Sequence, residues 1–503
     1  MVFGRKKMSN SRICLITPPS PFLLDERVFM HIGILKVASS LESQGYKVDF
    51  LDLSGIENYL KVIEDYCKNN DVTTFGLTAS TPQVPFAVLI ANKIRKLKRN
   101  AKLILGGPHV TLMNTACKRE SKKGLHLSDR ATQDINKLIS IFDVLVCGDG
   151  ELTIFEALKI NKGIVDADNR KSPYFLTNKQ FSELPFPARH LLDVDSYKYS
   201  IEGKKSTSLI AQLGCPFKCS FCSGRNSPFL RKIRQRSSDS IIDEMRMLYK
   251  DYGFTGFMFY DDELNVNKGL IDLLNKITDL QDELGEEFRL RGFVKAELFN
   301  EAQAKAMYRA GFRWLLTGFE SGDERILKNI KKMAKRDDNT RAVEIAKRNN
   351  LKVKALMSIG HAGETLETIE NTKKWLLEVQ PEEFDCTIIT TYPGSPYFDD
   401  AVKKDDIYVY TSDLTGDKLY QSTIDYLSEL DYYKGDPEGG YVSYVWTDYL
   451  SPTQLVDARD ELEKTVRNKL NIKFNPSRPG IKYEHSMGMG NVKIPEFILK
   501  KSS

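Results

Sequence analysis

A chain of 503 residues is too long for one ordinary hydrophobic core, so two or three domains are expected. With 41% hydrophobic and 28% charged residues it has the balance of a soluble globular protein, and no uninterrupted apolar run is long enough to span a bilayer. The formal charge of +5, from 73 basic and 68 acidic residues, is too small to point to nucleic acid, and no such partner is expected.

Residues 1–165 alternate short apolar strands with amphipathic runs. Strands are expected at 13–17, 47–53, 74–78, 102–105 and 143–147, with helices near 30–44, 56–68 and 84–98. Gly45 suits the end of the first helix and Pro85 the first turn of the third. The early basic residues Arg5, Lys6 and Lys7 precede an apolar stretch that Pro18, Pro19 and Pro21 interrupt, which does not read as a signal peptide. Alternation of this kind predicts a parallel, doubly wound sheet. Such sheets bind ligands beyond the carboxyl ends of their strands. Pro18-Pro19, Asp52, Thr78-Ala79-Ser80, Gly106-Gly107-Pro108-His109 and Gly148-Asp149-Gly150-Glu151 fall there. The two Gly-rich turns either let backbone approach a ligand or are simply tight turns. The polar segment 117–137 reads as a surface insertion.

Residues 166–205 hold Pro173, Pro185 and Pro187 with no sustained period, and read as an ordered linker. Residues 206–400 repeat a strand–helix unit six times. The strands begin near Ser208, Gly256, Phe288, Trp314, Val353 and Phe384, as expected of a barrel or a further open sheet. Directly after the first of them comes Gly214-Cys215-Pro216-Phe217-Lys218-Cys219-Ser220-Phe221-Cys222. Three thiolates can hold a [4Fe–4S] cluster and leave one iron free to bind a small molecule. A structural zinc wants a fourth ligand, and no Cys or His lies within twenty residues on either side. A redox dithiol would leave the third cysteine idle. The other five cysteines, at 14, 67, 117, 147 and 386, are scattered, so a reducing, cytoplasmic location is expected rather than a disulfide scaffold.

Cys-x3-Cys-x-aromatic-Cys, with Phe221 as the aromatic, resembles the motif of the radical S-adenosylmethionine (radical SAM) superfamily. The resemblance implies that Cys215, Cys219 and Cys222 hold the cluster and that Phe221 lies beside SAM. In the same family, polar residues after the second strand meet the ammonium group of SAM, which here implies Asp261 or Asp262 of Tyr260-Asp261-Asp262-Glu263. An acidic helix start is the competing reading. Gly318-Phe319-Glu320-Ser321-Gly322 resembles the Gly-x-Glu-Ser-Gly motif whose glutamate faces SAM, which implicates Glu320 and Ser321. Gly360-His361-Ala362-Gly363-Glu364-Thr365 departs from the usual Gly-x-Pro-Gly-Glu-Thr. Gly360 is expected at the adenine, and His361 is either a surface histidine or a candidate for proton transfer or substrate contact. Arg225, Arg231, Lys232, Arg234 and Arg236 read as a solvated loop by default, with an anionic ligand as the alternative.

Next to such a core, the N-terminal turns resemble the cobalamin-binding domain that precedes many radical SAM barrels. The resemblance implies Pro19, Thr78, Ser80, Gly106, Gly107, His109, Gly148 and Glu151 as cobalamin-binding residues. The Asp-x-His-x-x-Gly motif of domains that ligate cobalt through histidine is absent, since Asp25 and His31 are six residues apart. His109 therefore reads as a residue of the cradle rather than a cobalt ligand.

Residues 401–503 form the expected cap and substrate region. A helix near 452–470 starts with Ser451 as its cap and Pro452 in its first turn, and 474–503 read as extended. The whole is thus expected to be α/β: a doubly wound, Rossmann-like cobalamin domain, a partial (β/α)6 TIM-like barrel and a small, mostly helical cap. The resemblance implies a cobalamin-dependent enzyme that cleaves SAM at the cluster to a 5′-deoxyadenosyl radical and methylates an unactivated carbon or phosphorus. The implied substrate is a small molecule or a peptide, and the implied electron donor a flavodoxin or ferredoxin. A non-methylating cyclisation or rearrangement is the second reading, and a cobalamin- and SAM-binding sensor the third. A methylthio-transferring relative would need a second cluster, which the scattered N-terminal cysteines do not suggest.

Overall fold

The computed structural model describes residues 11–23, 26–123, 129–433 and 441–472. Its first sheet contains β1 (Arg12–Thr17), β2 (Lys47–Asp52), β3 (Thr74–Thr78), β4 (Lys102–Gly106), β5 (Val144–Cys147) and β6 (Gly163–Asp166). They are all parallel, in the order β2-β1-β3-β4-β5-β6. The order reverses between β1 and β3, which opens a crevice at their carboxyl ends. Helices cover both faces, as the alternating pattern requires. Ile63, Ile90, Ile94 and Leu138 close one side, and Ile34, Ala38, Leu41 and Ile154 the other.

The segment expected as a surface insertion is instead largely helical. Helix Pro108–Lys123 is followed by helix Arg130–Ile141, whose Ala131, Ile135 and Leu138 are buried in the sheet's core. Gln133, Asn136, Lys137 and Ser140 sit on the outer face of the second helix, and with the buried Asp134 they hide that stripe in a simple reading.

The stretch expected as a linker already belongs to the second sheet at its end. The antiparallel β7 (Ser200–Ile201) flanks β8 (Lys204–Leu209), and the pair β9 (Gln212–Leu213) and β10 (Arg234–Gln235) frames the cysteine loop. The sheet continues through β11 (Gly256–Phe259), β12 (Arg289–Phe293), β13 (Phe312–Glu320), β14 (Lys352–Ile359) and β15 (Glu383–Ile388). From β8 to β15 every pairing is parallel and between successive members, so the sheet is an open partial barrel. Its core gathers Phe257, Phe259, Leu290, Phe319, Ala355 and the fully buried Trp375.

The cap expected to be mostly helical pairs its helix, Pro452–Leu470, with a four-stranded antiparallel sheet: β16 (Val402–Lys404), β17 (Ile407–Thr411), β18 (Lys418–Ser422) and β19 (Val445–Thr447). Ser451 caps the helix as expected, its Oγ accepting from the Gln454 N–H. Residues 474–503 and Asp25 lie outside the described residues.

Buried polar bonds fasten the units to one another. Arg234 on β10 pairs with Asp149 after β5. Asp168, just past β6, accepts from Ser227 Oγ (2.7 Å) and from the Phe229 N–H (2.8 Å). The cap closes over the first sheet through Phe398, Tyr426 and Tyr432, which join that sheet's core.

Candidate functional site

The strands of the barrel deliver the chemistry at their carboxyl ends. After β8 the chain turns at Gly214, which has φ +89°, and a Cβ there would collide with the Lys232 carbonyl. The cysteine loop that follows is pinned by backbone bonds on several sides. Cys215 N–H donates to Leu230 O (2.9 Å), Ser220 N–H to Ile330 O (2.8 Å) and Tyr397 N–H to Ser220 O (3.1 Å). Burial pushes the Cys215 thiol up to about 12 and raises Cys219 as well. The thiols are free, and among the described residues no group of three His, Cys, Asp or Glu is drawn together as for a metal ion. The donor chemistry nevertheless fits a cluster. Three soft sulfur ligands share one fixed eight-residue loop; Arg225 acts on all three and Lys332 and Lys295 on Cys219, beside the carboxylates Asp262 and Glu263 that act on Cys215 and Glu320 that acts on Cys219.

After β11 the two aspartates part company. Asp261 is buried, and its Oδ1 accepts from the Ala211 N–H (3.0 Å) and the Gln212 N–H, so it pins the start of the cysteine loop. Asp262 is exposed, yet burial pushes its carboxyl up. Both statements hold for a side chain on the wall of an interior cleft. Tyr260 is 38% exposed while burial raises its phenol, and the half-buried Tyr392 and Tyr433 behave in the same way. Phe29 from the first unit lies 5.5 Å from Tyr260, and Phe22 lies 5.0 Å from Tyr433 of the cap. The cleft is therefore shared by all three units.

Glu320, the last residue of β13, is held at φ +66°, a conformation that a non-glycine residue adopts only when its surroundings enforce it. A Cβ on Gly318 would come within 2.5 Å of Glu320 Oε1, so that glycine lets the carboxylate fold back. Oε1 meets Lys332 Nζ at 3.2 Å, and Oε2 accepts from Ser358 Oγ at 2.7 Å. Having given its one hydrogen to the carboxylate, Ser358 accepts from His361 Nε2 at 2.8 Å. His361 Nδ1 then accepts from the Tyr397 hydroxyl at 3.3 Å. The bonds run in one direction: Tyr397 to His361 to Ser358 to Glu320. His361 is fully buried, and burial brings it down to about 4, so the ring is neutral. It is neither a surface histidine nor open to the cleft. Ser321 is committed to Thr372 (3.0 Å), and the Gly360 N–H to Glu364 (3.2 Å). Phe221 packs 5.4 Å from the His361 ring.

The first sheet's turns divide similarly. A Cβ on Gly107 would meet Thr78 Oγ1 at 2.6 Å and Ala79 N at 2.8 Å, and one on Gly148 the Ala167 backbone at 2.8 Å. The chain's own packing thus requires both glycines. Glu151 is buried against Lys36 (2.6 Å), and Ser80 caps toward Gln83, whose amide reaches back to Pro18 O (3.1 Å) beside the buried Pro19. Polar groups at this edge remain without a partner among the described residues: Thr17 Oγ1, at the end of β1, and His109 Nε2. The His109 ring is fully buried, neutral (burial brings it down to about 3), and held through Nδ1 by Thr81 Oγ1 at 3.2 Å. Unpartnered polar atoms beside an aromatic-walled cleft fit a large, flat cofactor with polar edges.

Sequence reading missed Lys332, Ser358 and Tyr397. It also misjudged the basic run, in which Arg225 and Arg234 are buried and Arg236 pairs with Glu244 (2.5 Å).

Two family models match the chain, the radical SAM superfamily over residues 209–376 and the B12 binding domain over 27–127. The chain thus carries a radical SAM domain together with a B12-binding domain. It is a radical SAM enzyme whose cofactors are a [4Fe–4S] cluster, SAM and cobalamin. An uncharacterized methyltransferase of Pyrococcus horikoshii is 27% identical over 470 residues, covering 89% of this chain and 95% of the relative. The bacteriochlorophyllide d C-12(1)-methyltransferase of Chlorobaculum tepidum is 25% identical over 465 residues, covering 88% and 92%. The fold matches that of the radical SAM methyltransferase TsrM from Kitasatospora setae, with a TM-score of 0.63, 17% identity, and 94% and 93% of the two chains covered. No helix among the described residues of this enzyme is long and apolar enough to cross a membrane.

Proposed function

We propose that this radical SAM enzyme is a cobalamin-dependent methyltransferase that acts on an unactivated carbon, or on phosphorus, of a small molecule or peptide. The observation that carries the reading is the cleft walled by Tyr260, Asp262, Tyr392 and Tyr433, on which Phe22 and Phe29 of the first unit also pack. The extensive likeness to two proteins named as methyltransferases supports the reaction class. When bound, the cluster and SAM supply a 5′-deoxyadenosyl radical, and cobalamin supplies a transferable methyl group. Cys215, Cys219 and Cys222 would hold the iron, and Asp262 and Glu320 would hold the SAM ammonium. Gly360 backbone would border the adenine, and the edge formed by Pro19, Thr78, Gly107 and His109 would border the corrin. The protein's own task is to hold the reactants face to face and to exclude water. The electron would come from a flavodoxin- or ferredoxin-type donor.

The test is to load anaerobically reconstituted protein with cobalamin, reduce it, and add SAM labelled in its methyl group. Label on protein-bound cobalamin is the expected result. Bound cobalamin that takes up no label would favour the non-methylating rearrangement, and absence of cobalamin binding would refute the cleft assignment.

A further inference from the structure

The cysteine loop folds around one guanidinium. Arg225 is 6% exposed, and its Nη1 donates to the carbonyls of Cys215 (2.6 Å) and Phe217. Its backbone N–H donates to Cys222 O at 3.2 Å, so the side chain is anchored by the loop it braces. The groups whose charge acts on it are Cys222, Cys215, Asp262 and Cys219. Its Nε is buried and has no hydrogen-bond partner among the described residues. A buried guanidinium N–H inside the loop that carries the three thiols is unfavourable unless an acceptor meets it. Lys332 and Lys295, the other cations acting on Cys219, are committed to Glu320 (3.2 Å) and Glu297 (3.0 Å).

Three thiolates leave a cluster anionic, and reduction adds further negative charge. Fixed positive charge and hydrogen bonds to sulfur favour the reduced form.

We propose that Arg225 is a positioning residue of the cluster, bracing the loop through two carbonyls while its Nε–H bonds a cluster sulfur and eases reduction. The inference rests on the cluster reading given above. The step concerned is the uptake of one electron from a low-potential donor protein, with no bond formed or broken at Arg225. Arg225 neither accepts nor passes the electron; it stabilises the state that holds it.

The test compares wild type, Arg225→Lys and Arg225→Gln after anaerobic reconstitution, without SAM or cobalamin. Iron and sulfide per chain are measured, followed by the midpoint potential in a titanium(III) titration followed by electron paramagnetic resonance. All three proteins should take up the cluster. At the wild-type midpoint the ratio of reduced to oxidised cluster in the Arg225→Gln protein should be at least tenfold lower than in wild type, a downward shift of about 59 mV for a one-electron couple. Arg225→Lys keeps the charge without the Nε–H and should fall between. An unchanged midpoint in Arg225→Gln would overturn the proposal. Loss of the cluster from both variants would also overturn it, by reducing Arg225 to a structural pin. Wild type that takes up no cluster would overturn the cluster reading itself and this inference with it.

Discussion

Ser358→Ala tests the directional bond chain that holds Glu320. The hydroxyl donates to Glu320 Oε2 at 2.7 Å and accepts from His361 Nε2 at 2.8 Å. Its removal leaves a buried carboxylate oxygen and a buried ring N–H without partners, while Lys332 still holds the other carboxylate oxygen at 3.2 Å. A hydrogen bond to a charged group contributes about 1.5–3 kcal/mol, and an unsatisfied N–H adds to the loss, so about 2–3 kcal/mol is expected. In a unit of this size that corresponds to roughly 4–12 °C in the melting transition. Calorimetry of the apo-protein at neutral pH reads this shift directly. His361→Phe should lower the transition less when added to Ser358→Ala than when made alone, because the two side chains share one bond. Nitrogen chemical shifts should show a neutral His361 protonated on Nε2. A Ser358→Ala protein that melts within about 1 °C of wild type, or a ring protonated on Nδ1, would refute the chain.

Cys219→Ala should abolish SAM cleavage and leave cobalamin binding intact, as read by 5′-deoxyadenosine formation and cobalamin absorbance; loss of both would contradict the separation of the two sites. Gly107→Ala places a Cβ 2.6 Å from Thr78 Oγ1 at φ +100°. It should destabilise the first sheet by about 1–3 kcal/mol and weaken cobalamin binding, with iron content unchanged in the reconstituted protein. Burial raises the Asp134 carboxyl from 3.8 to about 7. The folded state thus favours the protonated acid, so this group's contribution is intact below pH 3.8 and is lost as pH rises through 7. In melting curves Asp134→Asn should gain on wild type progressively from pH 4 to 7 and hold the gain at pH 8; a gain independent of pH would exclude the assignment.

The sequence made the strand and helix order of both sheets legible because apolar periodicity and stop signals agree there, as at Gly45, Pro85 and Ser451. It failed where burial falls on polar residues. Ser206, Thr207 and Ser208 are buried in β8, so that strand starts at Lys204 and not near Ser208. The cap strands are short, and their pairing is set by partners such as Phe398 and Tyr426 rather than by local pattern. In the site, contiguous motifs marked the cysteine loop, Glu320 and Gly360. Lys332 lies twelve residues past Glu320 in a run that also holds Lys331 and Lys335, which has the look of a solvated surface. Tyr397 reaches His361 from the short helix Pro396–Asp399, too far along the chain for local pattern to link the two. Nothing local to Arg225 separates it from its exposed neighbour Lys232.

The Arg234–Asp149 pair and the bonds from Asp168 to Ser227 and Phe229 bear on how the cleft can work. They tie the edge of the first sheet to the segment that returns from the cysteine loop, so the width of the gap between the two is a fixed dimension of the fold. A clamshell motion of the first sheet against the barrel would have to break a buried charge pair and two hydrogen bonds to a buried carboxylate at each opening. Traffic into the cleft then falls to the side walled by Tyr260, Tyr392 and Tyr433, whose rings can turn without parting the Arg234–Asp149 pair.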